Sequence, residues 1–214
     1  MKSFLIVALI LTYFLFGCDR LPKLGPAIDG ENKLASASQE DCGFVQNSYG
    51  QRVSWKQSLP VKIYIDPGFP AEYETTLREA ARKWEGVVGR TLFLFERTSA
   101  SSTVARDNRN VAYWETKWVD SDMNLQGVST LSWYQNQLTE ADLRVNAQNF
   151  NYYVDNNTSG RDVHLPSLLV HELGHILGLK HVNGSSVMLT MLDYLVKRDL
   201  PSAEDKAHIK CEYN

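Results

Sequence analysis

The stretch that decides the fold is His171–His181, which reads HELGHILGLKH and holds three of the chain's five histidines. His171 and His175 are four residues apart, so on an α-helix both imidazoles lie on one face, about one turn from each other. Glu172 directly follows the first of them. The spacing therefore predicts a helix that presents two imidazoles to one metal ion and keeps a carboxylate beside it.

Gly178 and His181 complete this pattern. A residue without Cβ can take a positive φ and end the helix, and Gly178 comes three residues after His175. The chain can then turn back and bring His181 to the metal. Three protein ligands and an open fourth position are typical of a catalytic zinc ion. We therefore predict one Zn²⁺ bound by His171, His175 and His181, with Glu172 as the general base that activates a zinc-bound water.

The run resembles the H-E-x-x-H-x-x-G-x-x-H signature of the metzincin zinc proteases. That clan also carries a methionine turn, and Met188 lies seven residues past His181 in this chain. The resemblance implies that Met188 forms a hydrophobic floor beneath the three imidazoles, and Met191 is the alternative for this position. Astacin-like and serralysin-like members place a tyrosine two residues past this methionine, whereas Thr190 stands there in this chain. The site therefore looks more like that of a matrixin.

The resemblance implies an α+β, metzincin-like zincin fold. In that fold a twisted mixed β-sheet with two long helices precedes a small irregular C-terminal subdomain, which contains the Met-turn and a terminal helix. The residue pattern agrees: Val61–Ile65 alternates as a strand does, and 71–87 has the apolar spacing of an amphipathic helix. The zinc helix is predicted at about 166–177. Further predicted elements are strands at 91–96, 110–119, 127–133 and 143–146 and a helix that starts near residue 201.

The N-terminus is predicted to be a lipoprotein signal peptide at residues 1–17. Lys2 precedes an apolar stretch that is shorter than the ~20 residues of a membrane-spanning helix. The sequence at 15–18, Leu-Phe-Gly-Cys, resembles a bacterial lipobox, which implies lipidation of Cys18. We therefore expect an exported protein of the bacterial cell envelope, lipid-anchored on the periplasmic face or the cell surface. An ordinary signal peptide is the alternative.

Two parts follow the predicted signal peptide. Residues 18–41 contain Pro, Gly and Ser without an apolar period, which predicts a tether, and 42–214 is predicted to be one catalytic domain. The formal net charge of −3 gives no support to nucleic-acid binding. We expect a monomer with a polypeptide substrate and no nucleic-acid partner, which meets the membrane through its lipid anchor.

The cysteines Cys42 and Cys211 lie near the two ends of the predicted domain. With Cys18 lipidated, they form an even pair in an oxidising compartment, which favours a disulfide. The alternative is that Cys42 acts as a latency switch, in which its thiolate blocks the zinc site. The local sequence Asp-Cys-Gly has a faint likeness to the matrixin switch.

Substrate-binding residues are predicted from the resemblance. Gly127, Val128 and Ser129 lie in a predicted strand, and the resemblance implies that this strand is an exposed edge that pairs with the substrate backbone. An internal strand is the alternative. Val170 and the segment 182–195 should shape the pocket after the scissile bond. The apolar content of that segment predicts an uncharged substrate side chain there.

Other polar residues carry weaker predictions. Asp155, Asn156, Asn157 and Asp162 have oxygens that suit calcium, although a solvated turn is the simpler interpretation. His164 is interpreted as a surface histidine at the start of the zinc helix, and the alternative is a metal ligand or a residue that supports the metal ligands. Many matrixins carry a second, structural zinc ion, and this chain has too few histidines outside the run to build one.

The sequence therefore predicts a zinc-dependent endopeptidase that hydrolyses peptide bonds of extended polypeptides. The alternative is a catalytically inactive, zinc-containing module that binds peptides. Glu172 argues against this alternative, because a protein that only binds peptides has no need of a general base.

Overall fold

The computed structural model describes residues 38–155 and 160–214. The predicted signal peptide, the predicted lipidation site Cys18 and most of the predicted tether lie outside the described residues, as do Asn156 and Asn157 of the predicted calcium site. Within the two described ranges, no helix is both long enough and apolar enough to cross a membrane.

Five strands form the main sheet, namely β1 (Val61–Ile65), β2 (Phe93–Arg97), β3 (Val111–Glu115), β4 (Gly127–Tyr134) and β5 (Gln137–Asn146). Their order is β2-β1-β3-β5-β4. The first four strands in this order pair in parallel, whereas β4 is antiparallel to β5. The sheet is therefore mixed, as the resemblance implied, and β4 is an edge strand.

Three helices and a small strand pair complete the described fold. They are α1 (Ala71–Val88), β6 (Asn151–Tyr153), β7 (Asp162–His164), α2 (Leu165–Ile176) and α3 (Ala203–Tyr213). The two short strands pair in parallel, and β7 leads directly into α2. Sequence patterns did not predict β6 and β7, because three residues are too few to show an alternation.

Helices α1 and α2 pack against each other and α2 also packs against β4 and β5. The predicted apolar stripe of α1 is buried, including Leu77 and Trp84. The indole Nε1 of Trp84 donates a 2.9 Å hydrogen bond to the carbonyl oxygen of Val170. This bond fixes α1 against the helix that carries the first two histidines.

Helix α2 ends as the sequence predicted. Gly178 has φ 101°, and a Cβ built on it would lie 2.4 Å from the carbonyl oxygen of Val53. Both the left-handed backbone and the close approach therefore require glycine at this position. The turn directs the chain back towards the helix and places His181 beside His175.

Two strands differ in length from the prediction. β3 ends at Glu115, before the predicted end at residue 119, and Val119 is 80% exposed. The chain leaves the sheet because the backbone N–H of Trp118 donates to the Gln148 side chain at 2.7 Å instead of to a strand. β5 begins at Gln137, well before the predicted start, since it forms a hairpin with β4.

The two ends of the described chain are joined beside α2. A disulfide links Cys42 to Cys211. The segment after Cys42 pairs with the turn that follows α2, because Lys180 N–H donates to Gly43 O and Val45 N–H donates to Gly178 O, both at 2.8 Å. The N-terminal segment therefore supports the turn that leads to the third histidine.

Candidate active site

The imidazoles of His171, His175 and His181 converge on one point. The Nε2 atom of His175 lies 3.0 Å from those of His171 and His181, which are themselves 3.2 Å apart. Tetrahedral zinc with Zn–N bonds of about 2.0–2.1 Å separates its nitrogen ligands by about 3.3 Å. The three nitrogens therefore have the spacing that zinc requires, and they are the one such group among the described residues.

The protonation of the rings also fits a cation. The Nδ1 atoms of His171 and His175 lie 2.8 Å from the carbonyl oxygens of Val187 and Leu179. A carbonyl oxygen only accepts, so each Nδ1 carries the proton and each Nε2 presents a lone pair. Two lone pairs that face each other at 3.0 Å repel unless a cation lies between them.

Burial keeps these two imidazoles neutral. It lowers the pKa of His171 to about 3 and holds that of His175 well below the ordinary value, in both cases with a further contribution from the neighbouring histidines. A neutral imidazole is the form that binds zinc. The two ligands on α2 are therefore ready to bind without losing a proton at neutral pH.

Met188 packs against α2 at Gly174, which has no side chain. It is 1% exposed, and a Cβ built on Gly174 would lie 2.4 Å from its Sδ atom. Gly174 directly precedes His175 in α2. The glycine of the signature therefore makes room for the methionine next to the ligand cluster.

Asp205 holds the methionine turn in place, a role that the sequence did not reveal. Its Oδ2 accepts hydrogen bonds from the backbone N–H groups of Val187 (3.0 Å) and Ser202 (2.8 Å), and its Oδ1 accepts from the Ser186 hydroxyl. The Val187 carbonyl in turn faces His171. The capping box at the start of α3 was the available signal, because Asp205 also caps that helix.

Glu172 is buried against the start of β4. The Ser129 hydroxyl donates to its Oε2 at 2.8 Å, and a Cβ on Gly127 would lie 2.9 Å from its Oε1. Burial raises the pKa of Glu172 to about 7, although the Ser129 hydrogen bond lowers it. A carboxyl group with such a pKa can both take and return a proton near neutral pH. Gly127 and Ser129 thus contact the carboxyl group directly.

A pocket opens beside the histidine cluster. Its inner lining includes Ser167 and Leu168 from α2, the segment 189–192 after the methionine turn, and Arg198. The Gln126 side chain also lines it and donates to the Leu192 carbonyl at 2.9 Å. The edge strand and the opposite wall are therefore joined directly at the pocket.

Two predicted substrate-binding residues do not line this pocket. Val170 is fully buried, and its carbonyl accepts from Trp84, so it faces the core between the helices. From α2, Ser167 and Leu168 line the pocket instead of Val170. Val128 lies on the edge strand opposite Arg144, outside the pocket lining. The lining also includes a cation, which the apolar sequence of 182–195 did not predict.

Three other predictions concern His164, Cys42 and the calcium site. His164 is buried, not on the surface, and its Nδ1 lies 2.7 Å from the Ser167 hydroxyl, because β7 carries it under α2. The sulfur of Cys42 is bonded to Cys211 and is therefore not on the histidine cluster. Asp155 is exposed and Asp162 is half-buried.

The mixed sheet, the helix beneath it and the three converging histidines define the metzincin class. The family model for matrixins, Peptidase M10, matches residues 67–214, a span that contains the three histidines, Glu172 and Met188. The chain belongs to the matrixin family. A search of curated proteins found no matching relative. The family implies a metalloprotease with a polypeptide substrate.

Proposed function

We propose that the protein is a zinc-dependent endopeptidase that hydrolyses peptide bonds within extended polypeptides. The observation that carries this proposal is the arrangement of four side chains. Three Nε2 atoms lie within 3.2 Å of one another, and the buried carboxyl group of Glu172 lies on the same helix beside an open pocket. A site that only held a metal would need neither the carboxyl group nor the pocket.

Each protein group has a distinct task in this proposal. Zinc bound by the three histidines would polarise the scissile carbonyl and make water more acidic. Glu172 takes the proton of the attacking water and then returns it to the leaving amine. Ser129 holds the carboxyl group in place through its 2.8 Å hydrogen bond. The free edge of β4 can pair with the substrate backbone, which favours an extended chain.

The test is cleavage of a denatured protein and of a peptide library by the full chain, with bound zinc measured in parallel. Glu172→Ala should keep its zinc and lose about 10²-fold or more of the activity, because general base catalysis contributes at least that much. Glu79→Ala removes an exposed carboxylate of α1 and is the matched control. Full activity in Glu172→Ala would contradict the mechanism. A wild-type chain that binds zinc and peptides without cleaving them would favour the inactive binding module.

We further propose that the chain is exported and lipid-anchored at Cys18. The support is the lipobox-like sequence at 15–18, together with the Cys42–Cys211 disulfide, which suits an oxidising compartment. Mass spectrometry of the protein from bacterial membranes should find a lipid-modified N-terminal cysteine. In Cys18→Ala the protein should leave the membrane fraction. An unmodified Cys18 in the wild type would exclude the anchor.

A further inference from the structure

Arg198 is the one permanently charged cation in the lining of the pocket beside the histidine cluster, among the described residues. We propose that its guanidinium selects substrates in which the residue directly after the scissile bond bears a side-chain carboxylate, that is, aspartate or glutamate. This inference rests on the proposed function, since it names the substrate class of the same site.

The surroundings of Arg198 strengthen its attraction for an anion. Leu168, Leu189 and Leu192 line the same pocket and exclude water from a bound side chain. A hydrogen bond between guanidinium and carboxylate is charge-assisted, and it gains strength where water is excluded. Glu172, the acidic residue of the lining, is held by Ser129 on the strand side.

The guanidinium is oriented but has no anionic partner. Its Nη2 donates to the carbonyl oxygens of Leu189 at 3.1 Å and Met191 at 2.7 Å. Its Nε is buried without a partner, and its Nη1 makes no hydrogen bond to any described residue. The wall therefore orients the group and leaves its positive charge without a directly bound anion among the described residues.

Two aspartates offset the positive charge of Arg198 only in part. Asp193 and Asp205 act on Arg198 only at a distance, and burial, the larger effect, lowers the pKa of its guanidinium. Asp205 is already occupied by the backbone N–H groups of Val187 and Ser202. A cation that is partly removed from water without a counterion is costly, and a substrate carboxylate would offset this cost.

The backbone of Arg198 is tied to the helix that carries the histidines. Its N–H donates to the Ser167 hydroxyl at 2.6 Å, and this hydroxyl lies within 2.7 Å of the His164 Nδ1, with which it shares a hydrogen bond. Burial lowers the pKa of His164, which favours a neutral ring at this contact. The backbone position of Arg198 is thereby set relative to α2, which carries His171 and His175.

The first test compares two peptide substrates that differ only in glutamate or glutamine directly after the scissile bond. For the wild type, kcat/KM should be about 10-fold or more higher with glutamate, the size expected for one charge-assisted hydrogen bond. In Arg198→Met the ratio should fall to about 1, whereas a purely structural role would lower both rates equally. Lys197→Met removes a neighbouring charge outside the pocket and should keep the wild-type ratio.

The second test measures binding and does not depend on turnover. Two hydroxamate peptidomimetics, one with a carboxylate and one with a carboxamide side chain for this pocket, are titrated into the zinc-loaded full chain. We expect about 10-fold tighter binding of the carboxylate, and loss of this preference in Arg198→Met. Cleavage without a preference in either assay overturns the inference and leaves the proposed function intact. Tighter binding of the carboxylate without any cleavage overturns the proposed function and supports the role of Arg198. If the chain neither cleaves the peptides nor binds the hydroxamates, both proposals are overturned.

Discussion

The metal end and the pocket end of the candidate site are built in different ways. The three histidines come from one run of eleven residues, and a single helix with its terminal turn brings them together. The pocket end combines the first turn of α2, the segment 189–192 and Arg198, which meet only through tertiary contacts. In this chain the histidine cluster therefore depends on local spacing, whereas the shape of the pocket depends on the path of a long irregular segment.

The largest expected effect tests the metal end. His181→Ala should lower zinc affinity by more than about 100-fold and abolish cleavage, because losing even an outer partner of a zinc ligand costs about 10–100-fold. Zinc content after dialysis against a competing chelator measures it. Lys180→Ala changes the adjacent residue, whose ammonium group pairs with Asp41 at the surface, and should keep zinc. Zinc retention in His181→Ala would mean that the turn at Gly178 does not deliver a ligand.

The difference between local spacing and tertiary contacts also explains which features the sequence predicted. The bounds of α1 and α2, the turn at Gly178 and the edge position of β4 follow from periodicity or from the signature, and the structure has them. Each depends on residues a few positions apart or on a motif whose order is visible in the chain. The matrixin fold was therefore predictable from its local signals.

The contacts that tune the site were not predictable in this way. Ser129 and Glu172 are 43 residues apart, Ser167 and Arg198 are 31 apart, and Val187 and Asp205 are 18 apart. Each of these pairs forms only when separate elements have packed. The composition of 182–195 predicts an apolar pocket wall, because Arg198, the cation of the lining, lies three residues past this segment.

An intermediate effect is expected where α2 packs against Met188 and Trp84. Gly174→Ala places a methyl group 2.4 Å from Met188 Sδ and 3.1 Å from Trp84 Cζ2. Overpacking of this kind costs about 1–3 kcal/mol of unfolding free energy. Gly86→Ala is the matched control, because a Cβ on this α1 glycine meets nothing within 4 Å. That change should stabilise the protein by up to about 1 kcal/mol.

Urea denaturation of the metal-free variants measures the change in unfolding free energy without any contribution from zinc binding. A stable Gly174→Ala variant with normal zinc affinity would show that Met188 can move without disturbing the ligands. In that case the methionine would fill space in the core and would not set the metal site.

The smallest expected effect concerns the hydrogen bond that joins the edge strand to Glu172, the proposed general base. Ser129→Ala removes the hydroxyl that orients Glu172, and kcat should fall by about 10-fold, since one such hydrogen bond contributes about 1 kcal/mol or slightly more. KM should not change, because Ser129 is buried and does not line the pocket. Ser132→Ala on the same strand is the control. If zinc content falls together with kcat, the Ser129 hydroxyl supports metal binding as well as the position of Glu172. That result would contradict the idea that Ser129 acts on the carboxyl group alone.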